Sequence, residues 1–448
     1  MALVDWMGKM RMNRIFVHFN RLPPGDLSAL LPELERRGIL LELGGHNLPK
    51  LLPPDALQTS PELRRLRQGE RRLDGNFCTA NPRTLQLLAK GARGYVEQLP
   101  PARLYHFWPC DAREDPWCSC PACQSLSPCE QMWRAVAAAS EGVAMARPEA
   151  GVSALLYHES LDGSKTAPDG FHALFAPRER CYLHFIGADC HRNRGYASHL
   201  KSAVEKIGER LSVLEYYADP ILMGRPANRP ALVASDLSAY RAAGVRSISA
   251  LVFGSLSWWL YPLQLYSFAK GCWDPAVAER SAEEYCRAIA GENCCEPLAT
   301  YYRLESEASG THLRFCGYGR DGSWATLPFP PTAPLDEVQS HLAEMMRGQM
   351  LLRDASAALR EAASRSSGQR GLLAQIIAAH KLEEAFHAAV VAEMARAPGR
   401  ADGDPKSAFA AAADAVEQVE DEDRGLFGTH WMLSWLRRCA NSGLGMPP

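Results

Sequence analysis

Carboxylates, imidazoles and aromatic rings recur in short bursts along this chain. They stand in GGHN at 44–47, PCDARED at 109–115, YHE at 157–159, HFIGADCH at 184–191, EYYAD at 215–219 and SWW at 257–259. Together these residue types suit a sugar pocket, in which carboxyls move protons at a glycosidic oxygen, rings stack on the pyranose face and imidazoles bind hydroxyls. Any one of them alone reads as readily as a structural residue, so the coincidence across six strand ends carries the reading. Strand alternation puts Glu215 and Tyr217 on one face and Tyr216 on the other. Glu215 is therefore either a functional carboxylate or the partner of a buried cation.

The most specific local signal is the thiol run WCSCPAC at 117–123. Cys118, Cys120 and Cys123 are followed by Cys129, and Cys110 lies just upstream. Thiolates at this spacing can hold a structural zinc ion in a loop, and packed thiols or a local disulfide are the alternatives. A paired-knuckle ribbon needs two C-x-x-C elements, and the run has one. His380, Glu384 and His387 lack the H-E-x-x-H spacing and read as a solvated helix stripe. No nucleophile elbow, phosphate loop or kinase signature appears.

These residues need elements to hold them. β-rich runs at 14–19, 39–43, 103–108, 153–158, 181–186, 212–217 and 247–253 alternate with helical periodicity at 27–37, 82–98, 130–146, 197–209 and 235–243. That alternation predicts an α/β fold with a parallel sheet, specifically a (β/α)8 TIM-like barrel with its site at the C-terminal strand ends. A Rossmann-type sheet would need a glycine-rich phosphate loop after its first strand, and FVHFNRLPPGD is not one. Seven strands are visible where a closed barrel has eight, so the missing one is expected upstream of Met1 or in another segment. Residues 1–290 form the barrel, 291–334 a connecting segment with a hairpin (312–315 and 324–327), and 335–448 a helical region. Its alanine-rich helices at 335–360, 371–397 and 405–419 predict a small bundle.

Composition narrows the function. The 448 residues carry 49 lysines and arginines against 51 aspartates and glutamates, which leaves no basic excess for nucleic acid or anionic membranes. The stretch 247–261 is too short and broken for a membrane span. The first ten residues place Asp5 and Lys9 in an apolar run and show no cleavage site, so the chain as given is expected in the cytoplasm, or exported if its natural start lies upstream.

Several motifs, in order over residues 1–290, resemble one family. They are RMNRIFVH, RRGILLELGGHN, the D-x-x-x-x-x-W-C-x-C-x-x-C run from Asp111 with LSPCEQ, RCYLHFIGADCHRN, VLEYYAD and YPLQLYSFAKGCWDP. The family is DUF4838, bacterial glycoside-hydrolase-like barrels similar to β-hexosaminidase, endo-β-N-acetylglucosaminidase and α-glucuronidase barrels. The resemblance implies an enzyme that hydrolyses glycosidic bonds, with N-acetylhexosamine-containing glycans as candidate substrates and no cofactor in the reaction. It implies Asp111 and Glu215 as catalytic carboxylates and His46, Tyr157, His184, Tyr217 and Trp258 as sugar contacts. The competing reading is a non-catalytic carbohydrate-binding relative that keeps the pocket without a productive carboxylate pair.

Overall fold

The computed structural model describes residues 2–18, 26–112, 116–219, 228–252, 258, 260–313, 335–395, 410 and 413–414. A seven-stranded sheet runs in the order β1 (Arg14–His18), β2 (Leu40–Gly45), β5 (Leu104–Phe107), β6 (Gly151–Leu156), β7 (His172–Phe175), β8 (Leu211–Ala218) and β9 (Ser247–Val252). Pairing is parallel from β1 through β8. Such a sheet is covered on both faces, which is why LLELGG in β2 and GVSALL in β6 are buried almost throughout. Among the described residues the strand order runs from β1 to β9 without a pairing between them, and the structure gives an α/β fold on a seven-stranded sheet. Between β2 and β5 the chain inserts an antiparallel hairpin, β3 (Arg64–Arg67) and β4 (Glu70–Phe77). Its two-residue turn puts Gln68 at φ 50° and Gly69 at φ 83°, the double left-handed conformation that suits the twist of paired strands.

Local chemistry sets the helix starts. Asn81 accepts the Arg83 N–H at 3.0 Å and caps α4 (Pro82–Glu97), and Ser127 and Glu130 form a reciprocal capping box at α5 (Pro128–Ala146). Each helix begins with proline, whose missing N–H is lost at no cost there. Close packing is visible where α5 lies against α4: a Cβ on Gly142 would stand 2.0 Å from the Ala89 carbonyl oxygen.

Two compact units divide the chain. The first comprises residues 1–177, 195–214 and 241–249, and the second comprises 178–194, 215–240 and 250–448, so β8 and β9 pass from one to the other. Within the first unit, Glu42 stitches three strands together. Its carboxylate takes Arg14 Nη1 of β1 at 3.1 Å and His106 Nε2 of β5 at 3.0 Å. Burial raises the Glu42 pKa, but His106 and Arg14 outweigh it and hold the group below the usual carboxylate range.

The second unit is built on a sealed ion cluster. Arg180, 1% exposed, donates Nε to Glu215 at 3.0 Å and a terminal nitrogen to Asp236. Tyr182 donates to Glu215 at 3.0 Å, Tyr240 donates to the same carboxylate, and Tyr217 donates to Asp236 at 3.1 Å. The guanidinium also lies 4.1 Å from the centre of the Tyr182 ring. Burial pushes Asp236 upward, Arg180 opposes that shift and the Glu215 charge reinforces it.

This cluster explains one correction. Residues 181–186, expected as a strand, form a chain of bends, and His172–Phe175 supplies the sheet strand instead. The backbone of the bends has its partners elsewhere. Arg180 Nη1 takes the Cys181 and His184 carbonyls at 3.2 Å each, and Asn193 Nδ2 takes Cys181, His184 and Phe185 carbonyls at 3.1, 3.0 and 3.0 Å. Ile186 N–H donates to Asp236 at 2.6 Å. With its polar groups satisfied by buried side chains, the segment needs no neighbouring strand.

Helices fill the rest of the second unit: α8 (Pro262–Gly271), α9 (Pro275–Ala290), α10 (Cys295–Leu313), α11 (Leu335–Arg365) and α12 (Arg370–Ala395). Leu263, Tyr301, Leu359, Leu373 and Ile376 belong to one buried cluster joining them. His312 lies in the last turn of α10 rather than in a hairpin; 314–334 and most of 405–419 lie outside the described residues. His380 and His387, expected on a solvated stripe, are buried, and His387 Nε2 donates to the Met345 carbonyl at 2.7 Å. Among the described residues no helix is long and apolar enough to cross a membrane.

Two outcomes follow. Arg180→Met leaves two carboxylates sealed without their cation, and we expect a loss of about 3–5 kcal/mol in urea unfolding; a loss under about 1 kcal/mol would contradict the role assigned to this cluster. Because the folded pKa of Glu42 lies below its ordinary 4.5, its stabilisation is present above that value and is lost as pH falls through the folded one. Glu42→Gln should therefore flatten the fall in unfolding midpoint between about pH 5 and pH 3, and an unchanged slope would remove Glu42 as its source.

Candidate active site

Alternation along β1, β2 and β5 carries Phe16 and His18, then Glu42, Gly44 and His46, then His106 and Trp108 onto one face. Two consecutive glycines allow close approach here, Gly44 to the β5 backbone and Gly45 to a ring. A Cβ on Gly44 would fall 2.0 Å from the His106 carbonyl oxygen, and one on Gly45 would fall 2.4 Å from the His18 imidazole. The rings then cluster: Trp108 lies 5.1 Å from His46 and 5.9 Å from His18, and Tyr157 lies 6.2 Å from His46, centroid to centroid. His46 Nδ1 is 2.6 Å from the Pro109 carbonyl. A carbonyl only accepts, so that nitrogen carries the proton and fixes the ring orientation.

The end of β6 completes the arrangement. Tyr157 leads into a tight turn in which His158 adopts φ 47°, a left-handed conformation costly for a side chain of that size. Ser160 Oγ, facing the Leu155 and Tyr157 carbonyls at 3.0 and 2.9 Å, holds the turn closed. The result is a recess lined by His46, Cys110, Trp117, Tyr157, His158 and Glu159, among others. Its enclosed part is narrow, about 20 Å³, so a sugar ring would sit in the open mouth. Asp111 is exposed on the loop between Cys110 and Ala112, both of which line the recess.

The wall behind that loop is made by thiols. Cys118, Cys120 and Cys123 gather with Cys78, which follows β4, and all four sulfurs lie within 4.8 Å of one another. The fourth member is thus Cys78 and not Cys129, whose thiol points to the Glu159 carbonyl at 3.7 Å. Thiol donation from Cys123 and Cys78 pulls the Cys118 pKa down, and the same contacts push Cys123 up. The loop is tied back by Asn76, which accepts the Cys110 N–H at 2.9 Å and donates its own N–H to Pro116 O at 2.9 Å.

The remaining residues expected from sequence belong to the second unit. Glu215 pairs with the buried cation Arg180, and with no exposed surface it takes the second of the two roles open to it. Tyr217 is equally sealed, its hydroxyl on Asp236, so it offers no surface to a sugar in this conformation. His184 is exposed, with Nδ1 3.3 Å from Cys181 Sγ, and with Cys181 and Cys190 it forms a smaller group of clustered donors. Trp258 is half-buried. Sequence reasoning missed His18, His106 and Trp108, although alternation in RIFVH and LYHFW places Phe16 with His18 and His106 with Trp108.

Comparison with known proteins agrees with this architecture. The model of the domain of unknown function DUF4838 matches residues 4–303. Among solved structures, a GH138 enzyme targeting pectin rhamnogalacturonan II aligns over 94% of this chain at 10% identity with a TM-score of 0.60, which indicates a shared fold. The chain spans 57% of that enzyme's length. A mutant of the Thermobaculum terrenum O-GlcNAc hydrolase aligns over 98% of this chain and 90% of its own at 12% identity, with a TM-score of 0.48. No curated protein matches the sequence. A family model that spans two thirds of the chain, over the strands and the recess just described, places this protein in the DUF4838 family.

Proposed function

We propose that the chain is a glycoside hydrolase, adding water across a glycosidic bond at the mouth of the recess, on a sheet that belongs to a (β/α)8-type barrel. The observation that carries the proposal is the turn Tyr157–His158–Glu159, in which an acidic residue lines the recess next to the Tyr157, His158 and His46 rings at a strand end. In a parallel α/β sheet that is where ligands bind and where strained backbone serves a site. Glu159 protonates the leaving oxygen, and Asp111, exposed beside the recess, acts on the opposite side as base or nucleophile or orients an acetamido group. His46 and Tyr157, which line the recess, supply the stacking and hydroxyl contacts, and the buried Trp108 packs behind His46. N-acetylhexosamine-containing glycans are the substrate class the family resemblance favours. Glu215 belongs in this scheme to the buried network, as a residue of stability rather than of turnover.

One observation favours the competing reading of a sugar-binding protein. The enclosed recess is small, so little of a sugar could be removed from water there.

The two separate in one experiment. Purified protein is given aryl glycosides, N-glycans and pectic oligosaccharides, beside Asp111→Asn and Glu159→Gln variants of equal unfolding midpoint. Hydrolysis by wild type that falls about 10²–10⁴-fold in each variant is expected. Sugar binding without cleavage by a well-folded wild type would leave the binding reading, and full activity in Glu159→Gln would remove that residue from the reaction.

A further inference from the structure

We propose that Cys78, Cys118, Cys120 and Cys123 form a tetrathiolate site for one zinc ion that clamps the β3–β4 hairpin to the loop walling the recess. The proposal stands on the sulfur positions and not on the enzymatic reading. Zinc binds thiolate at about 2.3 Å in a tetrahedron, which sets neighbouring sulfurs about 3.8 Å apart. Cys78 Sγ lies 3.6 Å from Cys120 Sγ and 3.8 Å from Cys123 Sγ. A disulfide would bring two sulfurs to about 2.0 Å, and none of the four is so bonded. All four are buried, between 1% and 4% exposed, which argues against a redox pair that must meet a partner thiol.

The surroundings are those of a charged sulfur cluster. One Zn²⁺ with four thiolates carries a net negative charge, which needs nearby donors. The Leu66 N–H points at Cys118 Sγ at 3.2 Å, and Arg71 Nη1 lies 3.9 Å from the same sulfur. Both come from the hairpin, and Arg71 also donates to the Arg64 carbonyl at 2.8 Å, which holds it in place. Ser119 returns the connection, with its N–H and hydroxyl on the Leu66 carbonyl at 2.9 and 2.7 Å. Soft ligands in a four-sulfur tetrahedron select zinc or iron among the common ions, and the closed shell leaves no open position for substrate. The ion's task is therefore to hold the wall, and through Trp117 and Cys110 the recess it lines.

The test uses the full chain, produced with zinc in the medium and analysed for metal after desalting. We expect one zinc per chain, lost in Cys78→Ser and retained in Cys181→Ser. Exchange with cobalt(II) should give the intense thiolate-to-cobalt charge-transfer band of a four-sulfur site, absent in Cys78→Ser. Should that variant fail to fold, a mercurial titration of the wild type replaces it, with zinc expected to leave in step with four thiols. Zinc retained in Cys78→Ser but lost in Cys181→Ser would overturn the proposal in favour of the Cys181, His184 and Cys190 group. It would equally be overturned by a folded, metal-free wild type, by iron in place of zinc, or by zinc release uncoupled from the four thiols.

Discussion

A carboxylate taken out of water must bring its cation and its hydrogen-bond donors with it, and both units of this protein are organised around that requirement. In the first, Glu42 is shared by Arg14 and His106, so the charge that is costly to bury spans three neighbouring strands and specifies their order. In the second, Arg180 holds two carboxylates while three tyrosines and two backbone N–H groups complete their shells. Breaking the second set leaves a charge with no solvent to turn to. These interactions give modest net stability for their desolvation, and their larger effect is to make alternative packings expensive.

Around the first set the chain builds a surface of a different kind. Glycine at 44 lets the β5 backbone at His106 come close and glycine at 45 lets the His18 imidazole approach, while the turn at His158 takes a left-handed backbone just before Glu159. Space, ring density and an off-minimum backbone coincide at the same strand ends. That coincidence, more than any single residue, distinguishes the recess from the well-packed interior beside it.

Much of this was legible in the residues. Six of the seven sheet strands follow from β-rich runs between helical stretches, because a parallel sheet buried on both faces leaves that imprint directly. The seventh misled because CYLHFI alternates like a strand, yet its carbonyls are claimed by Arg180 and Asn193, side chains whose destinations no local pattern reveals. Cys78 was invisible for a related reason: it stands 40 residues before Cys118, and only the hairpin between β2 and β5 brings it back. The hairpin itself went unread because its strands, RRLR and ERRLDGNF, carry arginines where alternation of apolar residues would be sought. Glu215 illustrates the opposite limit, since its face was deducible but the sign of its neighbour was not.

The insertion of that hairpin between two paired strands also bears on how the chain comes to fold. Glu42 of β2 pairs with Leu104 of β5, 62 positions further along, whereas Arg67 of β3 pairs with Glu70 of β4 almost at once. Local closures of the second kind form early, and distant ones wait for loop-closure entropy to be overcome. During synthesis β1 and β2 would emerge with an unpaired edge while the hairpin and α4 were still being made. A compact insertion that orders itself ahead of β5 shortens the effective distance between β2 and its partner, and limits the time for which that edge can pair with another chain.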